Sequence, residues 1–386
     1  MTLPPPLVAA GEAYYQAERE KRFSISPAAR ENWLRYQTWL NSRPESVDPK
    51  ILPIKAHISP NSQCNFRCTM CAVSDFPRGK RAEPMRLERF REIVEQLPTI
   101  CEAHPAGLSE ILMMPQDDLL AMLAVLRNAH IWVQLVTNGS LLDQKQWIPK
   151  LLELDINEWC VSIDGASKKT FEQIRRGSNF ERVINNLELL AQEASGIGVL
   201  NRIKLQMTLQ QSNQSEIGDV LRIASRLGIG SVALSVDIFD WGSVTWRNRN
   251  QPNSANLQSH VLSDAIDLGK SLGIYVGVIE ISNRYSASGP MSGRCQWPFS
   301  AVFISSDDRI VPCCHISNPD HFEIDASSAT YPTMEARWFS PAYLEFREAH
   351  VRGNIPEACR ACYLNAPLPQ ASSHHVSITR KSSKTA

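Results

Sequence analysis

Between Lys55 and Glu280 short apolar runs alternate with amphipathic stretches, and this alternation constrains the chain more than any other feature. KAHIS, LSEILMM, IWVQLVTNG, INEWCVSIDG, RIKLQMTL, GSVALSVDI and IYVGVIE read as strands. RLERFREIVEQL, DDLLAMLAVLRNA, QKQWIPKLLEL, KKTFEQIRR, FERVINNLELLAQEA, EIGDVLRIASRLG and HVLSDAIDLGKSLG, with apolar residues three and four apart, read as helices. Strand and helix in regular succession predict an α/β fold, a parallel sheet wrapped by helices that closes as a full or an incomplete barrel. In such folds the chemistry gathers at the carboxyl ends of the strands.

The chain has 386 residues, enough for a large domain of 55–288 with further segments on either side. Residues 1–54 read as a helical extension, since GEAYYQAEREKRF and AARENWLRYQTWLNSR space their aromatic and aliphatic side chains at helical intervals. From about Gly289 the alternation stops. FSAVFISSDDRIVPCCH reads as a hairpin turning at Asp307 and Asp308, inside a smaller α+β unit of 289–365 that ends in the helix PAYLEFREAHVRG. The tail 366–386 is polar, Ser-rich and basic and is expected to be disordered; its His374 and His375 read as part of a solvated segment rather than a metal site.

Forty basic residues balance forty acidic ones, so no net field attracts nucleic acid or an anionic membrane. No apolar run approaches the roughly 20 residues that span a bilayer, and the start MTLPPPLVAAGEAYYQ lacks the pattern of a secretory signal. A cytoplasmic location is expected. In that reducing compartment ten cysteines read as metal ligands or redox groups before they read as disulfides.

Three of them, Cys64, Cys68 and Cys71, stand in SPNSQCNFRCTMC, directly after the first predicted strand and so at the sheet's mouth. Thiolates at these spacings can converge from one loop onto three corners of a 4Fe-4S cube and leave the fourth iron open to another ligand. Zinc normally takes four closed ligands; the loop offers no fourth Cys or His, and His57 lies back in the strand.

The loop resembles the C-x3-C-x2-C signature of the radical S-adenosylmethionine (SAM) enzymes, with Met70 in the hydrophobic place before the third cysteine. The resemblance covers roughly residues 55–365. It implies a radical SAM type of (β/α) barrel, a 4Fe-4S cluster on the three cysteines, S-adenosyl-L-methionine as second cofactor, and an external electron donor such as flavodoxin or ferredoxin. Gly107 to Glu110, GLSE, occupies the place of the family's glycine-rich strand end, with Ser109 replacing a glycine and Glu110 placed for the amino group of the cofactor. TNGSLL, with Asn138, and VSIDGAS, with Ser162 and Asp164, resemble the next strand ends, where ribose or carboxylate is bound. IRRGSNFERV makes Arg176, or Arg175, the implied carboxylate clamp.

Cys295, Cys313, Cys359 and Cys362 resemble the ligands of the family's C-terminal auxiliary-cluster domains, the SPASM domain and its shorter twitch form. No cysteine follows Cys362, so one auxiliary 4Fe-4S cluster is implied; a zinc knuckle is the alternative use of the same thiols. Cys314 doubles the second ligand place, and the glycine usual in the hairpin turn is missing from SSDDR. Cys314 reads as buried filler, as an alternative ligand, or as a catalytic thiol that returns a hydrogen atom to a substrate radical. Cys160 reads as core, and Trp297 and Pro298 as a shield beside Cys295.

The implied activity is reductive cleavage of SAM to a 5'-deoxyadenosyl radical that takes hydrogen from a substrate carbon. Oxidation or epimerisation of a small polyol, sugar or aminocyclitol leads, because a single auxiliary cluster resembles the family's small-molecule dehydrogenases. Maturation of a ribosomally made peptide is the alternative, and a non-catalytic iron-sulfur electron-transfer protein the second alternative.

Overall fold

In the computed structural model of the protein, residues 8–42, 50–255, 257, 259–280, 285–286 and 293–364 are described. The expected disordered tail, with His374 and His375, and the expected boundary at 288 lie outside these residues.

A nine-stranded sheet forms the centre. Its strands are β1 (Lys55–Ile58), β2 (Glu102–His104), β3 (Trp132–Thr137), β4 (Glu158–Ser162), β5 (Ile203–Thr208), β6 (Ser231–Ser235), β7 (Tyr275–Ile279), β8 (Ala301–Ile304) and β9 (Ile310–Val311). Their order is β9-β8-β1-β2-β3-β4-β5-β6-β7, and every neighbouring pair is parallel except β8 with β9. The edge strands β7 and β9 do not pair, so the barrel is incomplete. Leu119, Leu123, Val183, Leu187, Val220 and Leu221 bury the apolar stripes of the surrounding helices completely.

Three features depart from the sequence pattern. LSEILMM is not a strand. Ile111 and Leu112 are buried as its apolar character demands, yet they lie in a 3-10 turn, Ile111–Met113, started by the Glu110 carboxylate accepting from Leu112 N. The strand is instead the polar EAH just before it, hidden from a hydrophobicity reading because Glu102 and His104 are buried as a charged network: Lys55 Nζ lies 2.6 Å from Glu102 Oε1, which His104 Nε2 shares. Secondly, the hairpin at Asp307–Asp308 forms as expected, but its first strand extends the central sheet, Lys55 pairing with Ala301 and Ile58 with Ile304. The missing glycine is replaced by Asp308 at φ 60°, a left-handed conformation that aspartate tolerates better than most residues. Thirdly, the polar VTWRNRN forms an additional helix, Val244–Asn250.

The N-terminal helices Glu12–Ile25 and Pro27–Asn41 close the end of the barrel opposite its mouth. Tyr14 and Tyr15 pack edge-on against Trp132, and Tyr15 Oη donates to Glu102 Oε2 at 3.0 Å. Ala9 N donates to Glu158 Oε2 at 3.0 Å, where Lys204 pairs with the other carboxylate oxygen. Lys55, Glu102, Trp132 and Glu158 each open a strand, so the arm is fixed to the amino ends and leaves the carboxyl ends open. Tyr36, donating to Gln296 at 3.0 Å, and Trp39, against Phe299, tie the same arm to the C-terminal region.

Candidate functional site

The cysteine loop leaves β1 and is fixed before any cofactor is considered. Cys64 N donates to Gly79 O at 3.0 Å, and Arg67 Nη1 donates to the carbonyls of Cys64 and Phe66 at 2.7 and 2.8 Å. Gly79, at φ 69°, lies against that guanidinium; a Cβ there would stand 2.0 Å from Arg67 Nη2. Cys68 pairs with Arg175 in a two-residue antiparallel ladder, and Trp241 Nε1 donates to Met70 O at 3.1 Å. Gly107 closes the other side, since a Cβ on it would meet Ser59 Oγ at 2.3 Å.

The three thiols line one cavity of about 170 Å³ at the carboxyl ends of the strands. Met70, Ser109, Glu110, Asn138 and Ser162 line it too, as the sequence suggested. Asp164 and Arg176 do not. Arg176 is exposed, its Nε donating to Arg67 O at 3.0 Å, whereas Arg175 is buried and faces the cavity. Asp164, fully buried, stands behind Arg175 at 2.7 Å and accepts from Thr208 N at 2.7 Å, so it orients the guanidinium rather than reaching the cavity. Burial pulls the Arg175 pKa down, but Asp164 and Cys68 outweigh it and the value is raised. The Glu110 carboxylate is already engaged by Thr137 Oγ1 at 2.7 Å, Asn138 N at 2.6 Å and Leu112 N at 3.2 Å, and burial pushes its pKa up.

Burial, then Glu110 and Cys68, push the Cys64 thiol up to about 12; burial also raises Cys68 and Cys71. Three adjacent thiols, Cys68 buried and Cys64 and Cys71 half-buried, are costly to ionise together unless a cation is bound among them, so the donor set fits an iron cluster. Asn138 Nδ2 directs a donor at Cys64 Sγ over 3.9 Å.

A second cavity, of about 460 Å³, is lined by Cys295, Cys313, Cys359 and Cys362. Cys295 precedes the turn Trp297–Ser300, Cys313 follows β9, and Cys359 and Cys362 share the 3-10 helix Glu357–Cys362. Burial first, then the neighbouring Cys314, Cys359, Cys295 and Cys362, raise the Cys313 thiol well above its ordinary value. Cys314 begins the next 3-10 turn and is not among the residues lining either cavity. Trp297 lines the second cavity, with the His57 ring tilted against it at 4.8 Å and stacked on His104 at 4.5 Å. Among the described residues no three Cys, His, Asp or Glu side chains stand close enough to share a single metal ion.

Several lining residues escaped the sequence reading. Thr208 ends β5 as Ser162 ends β4, so the strand-end rule that selected Ser162 would have found it. His350 lines the second cavity, its Nδ1 bonded to Phe346 O at 2.9 Å; burial lowers its pKa to about 4. Trp241 and Phe239 had no signal, because they follow β6 in an irregular loop. Phe239 lines both cavities, with Trp241 at 5.2 Å on one side and His315 at 4.2 Å on the other.

Comparison with known proteins agrees with this geometry. A family model described as the radical SAM superfamily matches residues 58–222, and one described as an iron-sulfur cluster-binding domain, SPASM, matches 295–363. A GTP 3',8-cyclase of Synechocystis sp. is 26% identical over 175 residues, covering 45% of this chain and 50% of that protein. The chain thus spans about half the length of the cyclases it matches. The PqqA peptide cyclase of Gluconobacter oxydans is 23% identical over 311 residues, covering 78% of this chain and 80% of that protein. Among solved structures, Streptococcus suis SuiB bound to its precursor peptide SuiA aligns with a TM-score of 0.56 at 13% identity over 76% of this chain and 66% of that one, a likeness of fold. The chain belongs to the radical SAM superfamily, with 4Fe-4S clusters and S-adenosyl-L-methionine as cofactors, and carries a C-terminal iron-sulfur domain of the SPASM type.

Proposed function

We propose that this protein is an enzyme that cleaves SAM reductively and takes a hydrogen atom from a carbon of a polypeptide substrate seated between its two cysteine cavities. The observation that carries the reading is the shared wall: Phe239 lines both cavities, so the two cofactor sites adjoin. A relative matched over 78% of this chain is a peptide cyclase, which supports a polypeptide over the small polyol favoured by the sequence alone.

Cys64, Cys68 and Cys71 would hold one cluster; Cys295, Cys313, Cys359 and Cys362 would hold the other. When bound, the first cluster with SAM supplies a 5'-deoxyadenosyl radical, and the auxiliary cluster supplies a one-electron donor or acceptor beside the substrate. The residues of the chain position and shield. Arg175, held by Asp164, presents a guanidinium that matches the cofactor carboxylate in bidentate geometry. Ser162 and Asn138 offer polar groups on the same wall, while Glu110, its carboxylate engaged by three donors, organises the turn around them. Phe66, Val73 and Leu108 give the cavity an apolar lining that keeps water from a reactive carbon. An external one-electron donor such as flavodoxin or ferredoxin completes the system. No helix among the described residues is long and apolar enough to cross a membrane.

The test uses reconstituted enzyme, SAM and dithionite under anaerobic conditions, with host-cell extract divided by size. Stimulation of 5'-deoxyadenosine formation by a polypeptide fraction, lost after protease digestion, is expected. Stimulation that survives digestion and follows the small-molecule fraction would overturn the polypeptide reading in favour of a polyol or sugar.

A further inference from the structure

Two arginines of the C-terminal region are enclosed by the fold, and they differ in what faces them. Arg337, 0% exposed, pairs with Asp308 Oδ1 at 2.6 Å. Arg347, 1% exposed, is held by neutral groups: its Nε donates to Pro298 O and its Nη1 to Trp338 O, both at 2.6 Å, and its guanidinium lies 3.8 Å from the centre of the Trp338 ring and 4.0 Å from that of Tyr343. Among the described residues no carboxylate pairs with it. Burial lowers its pKa to about 10, so it remains a cation at neutral pH. A buried charge without a counter-charge is costly, and proteins ordinarily pair such groups.

The surroundings of Arg347 show where a counter-charge would lie. Tyr343, Arg347 and His350 follow one another at intervals of four and three residues on the helix Pro341–Val351 and so share one face, and His350 lines the larger cavity. Pro298, which holds Arg347 Nε, follows Trp297, another residue of that lining, and stands three positions after Cys295. The Tyr343 phenol is pushed up by burial first, held back by Arg347, and pushed further by Cys313 and Cys295. Guanidinium, phenol and two cysteines of the second set are therefore electrostatic neighbours.

We infer that Arg347 is the counter-charge of the auxiliary cluster, a buried cation behind the cavity wall that favours the cluster's reduced state. This rests on the assignment of that cluster to Cys295, Cys313, Cys359 and Cys362, and not on the nature of the substrate. Four thiolates leave a 4Fe-4S cube negatively charged, and an added electron makes it more so. A unit positive charge about 10 Å away, at an effective dielectric constant of about 20, shifts such an equilibrium toward reduction by about tenfold. Carbonyl oxygens and ring faces hold the guanidinium without cancelling its charge, and burial keeps salt from screening it. Arg347 touches no reacting atom. Of the two roles open to the auxiliary cluster, donor and acceptor of one electron, it favours the acceptor.

The test is a redox titration of the reconstituted holoenzyme with dithionite, followed by electron paramagnetic resonance of the signal that does not respond to SAM. Arg347→Gln keeps N–H donors without the charge, and Arg347→Lys keeps the charge without the planar fork. In Arg347→Gln that cluster should become about tenfold harder to reduce, a fall of about 60 mV in its midpoint potential, while Arg347→Lys should stay within about threefold of wild type. The SAM-responsive signal should move by less than about twofold in both. No shift in Arg347→Gln, an equal shift in both variants, or an equal shift of both clusters would show a purely structural role and overturn the inference. Should Arg347→Gln fail to take up iron, a crystal structure of the wild-type holoenzyme decides. A guanidinium within about 10 Å of the cube and free of any carboxylate supports the inference; a carboxylate bound to it, or a greater separation, overturns it. Iron content of Cys359→Ala tests the cluster assignment and the potential tests this inference, so either can fail by itself.

Discussion

The first cysteine set comes from eight consecutive residues, Cys64 to Cys71, whereas the second is gathered from three segments that begin at Cys295, Cys313 and Cys359. The first loop is held mainly by its own neighbours, Arg67 on its carbonyls and Gly79 against Arg67, with two long-range ties, Cys68 laddered to Arg175 and Trp241 bonded to Met70 O. The second depends on long-range structure. Cys313 is placed by β8 and β9, which extend the barrel sheet, and Cys295 by the hydroxyl oxygen of Tyr363, which accepts from its N–H at 2.9 Å. A locally built site should tolerate damage elsewhere, while a site assembled from distant segments should fail with the fold around it.

The largest effect expected from this contrast is in Cys359→Ala. Anaerobically reconstituted wild type should carry about eight iron per chain, and the variant about four, with the stimulated formation of product lost. Cys313→Ala should match it; Cys314→Ala, at a residue outside both cavity linings, should retain the iron. Iron loss in Cys314→Ala but not in Cys313→Ala would reverse the ligand assignment.

Next in size is the clamp. Arg175→Leu removes a buried charged donor and should weaken SAM binding between about tenfold and a hundredfold, whereas Arg176→Leu, on the exposed side, should change it by less than about twofold. Equilibrium binding to the reconstituted protein reads both, and equal losses would show that the neighbouring arginine reaches the cofactor as well. Gly79→Ala should be milder: an alanine at φ 69° costs about 1–2 kcal/mol in its backbone, and its Cβ displaces the flexible end of Arg67. Faster loss of iron from the first set only is expected in a chelator challenge, and equal loss from both sets would deny that the two sites are built independently.

The smallest effect concerns pH. Burial first, then His104 and Lys55, hold His57 well below its ordinary 6.5, and burial and Lys55 lower His104. Below 6.5 the unfolded chain therefore binds more protons than the folded one. This contribution is complete above pH 6.5 and is lost as the pH falls toward the depressed values. The melting temperature of the apoprotein should fall by a few degrees between about pH 7 and 5.5, and by less in His104→Asn. A melting temperature that rises on acidification would contradict the buried neutral pair.

The same contrast explains what could be read in advance. Six strands of the barrel and the first cysteine loop were legible because local periodicity and spacing specify them. β2 was misplaced by one turn, since its Glu102 and His104 are buried by pairing with Lys55, and a pairing partner 47 positions away leaves no local pattern. The hairpin was read correctly as a hairpin, but its parallel union with β1 involves residues with no shared sequence feature. In the site, Cys64, Cys68, Cys71, Glu110 and Ser162 were found by motif and strand end. Arg175 and Arg176 could not be separated, because only the pairing of Cys68 with Arg175 decides which guanidinium turns inward. Phe239 and Trp241 were missed altogether; their loop carries no periodicity, and their significance appears only where two cavities meet.

Division of labour between the two cysteine sets is tested most directly by electron paramagnetic resonance of the reduced, reconstituted protein with and without SAM. In wild type, SAM should change the signal of one cluster and leave the other as it was. In the variant with Cys64, Cys68 and Cys71 replaced by Ala, about four iron should remain, their signal should not respond to SAM, and no 5'-deoxyadenosine should form. A signal in that variant that still responds to SAM, or continued cleavage of the cofactor, would place the SAM site on the second cysteine set and contradict the assignment.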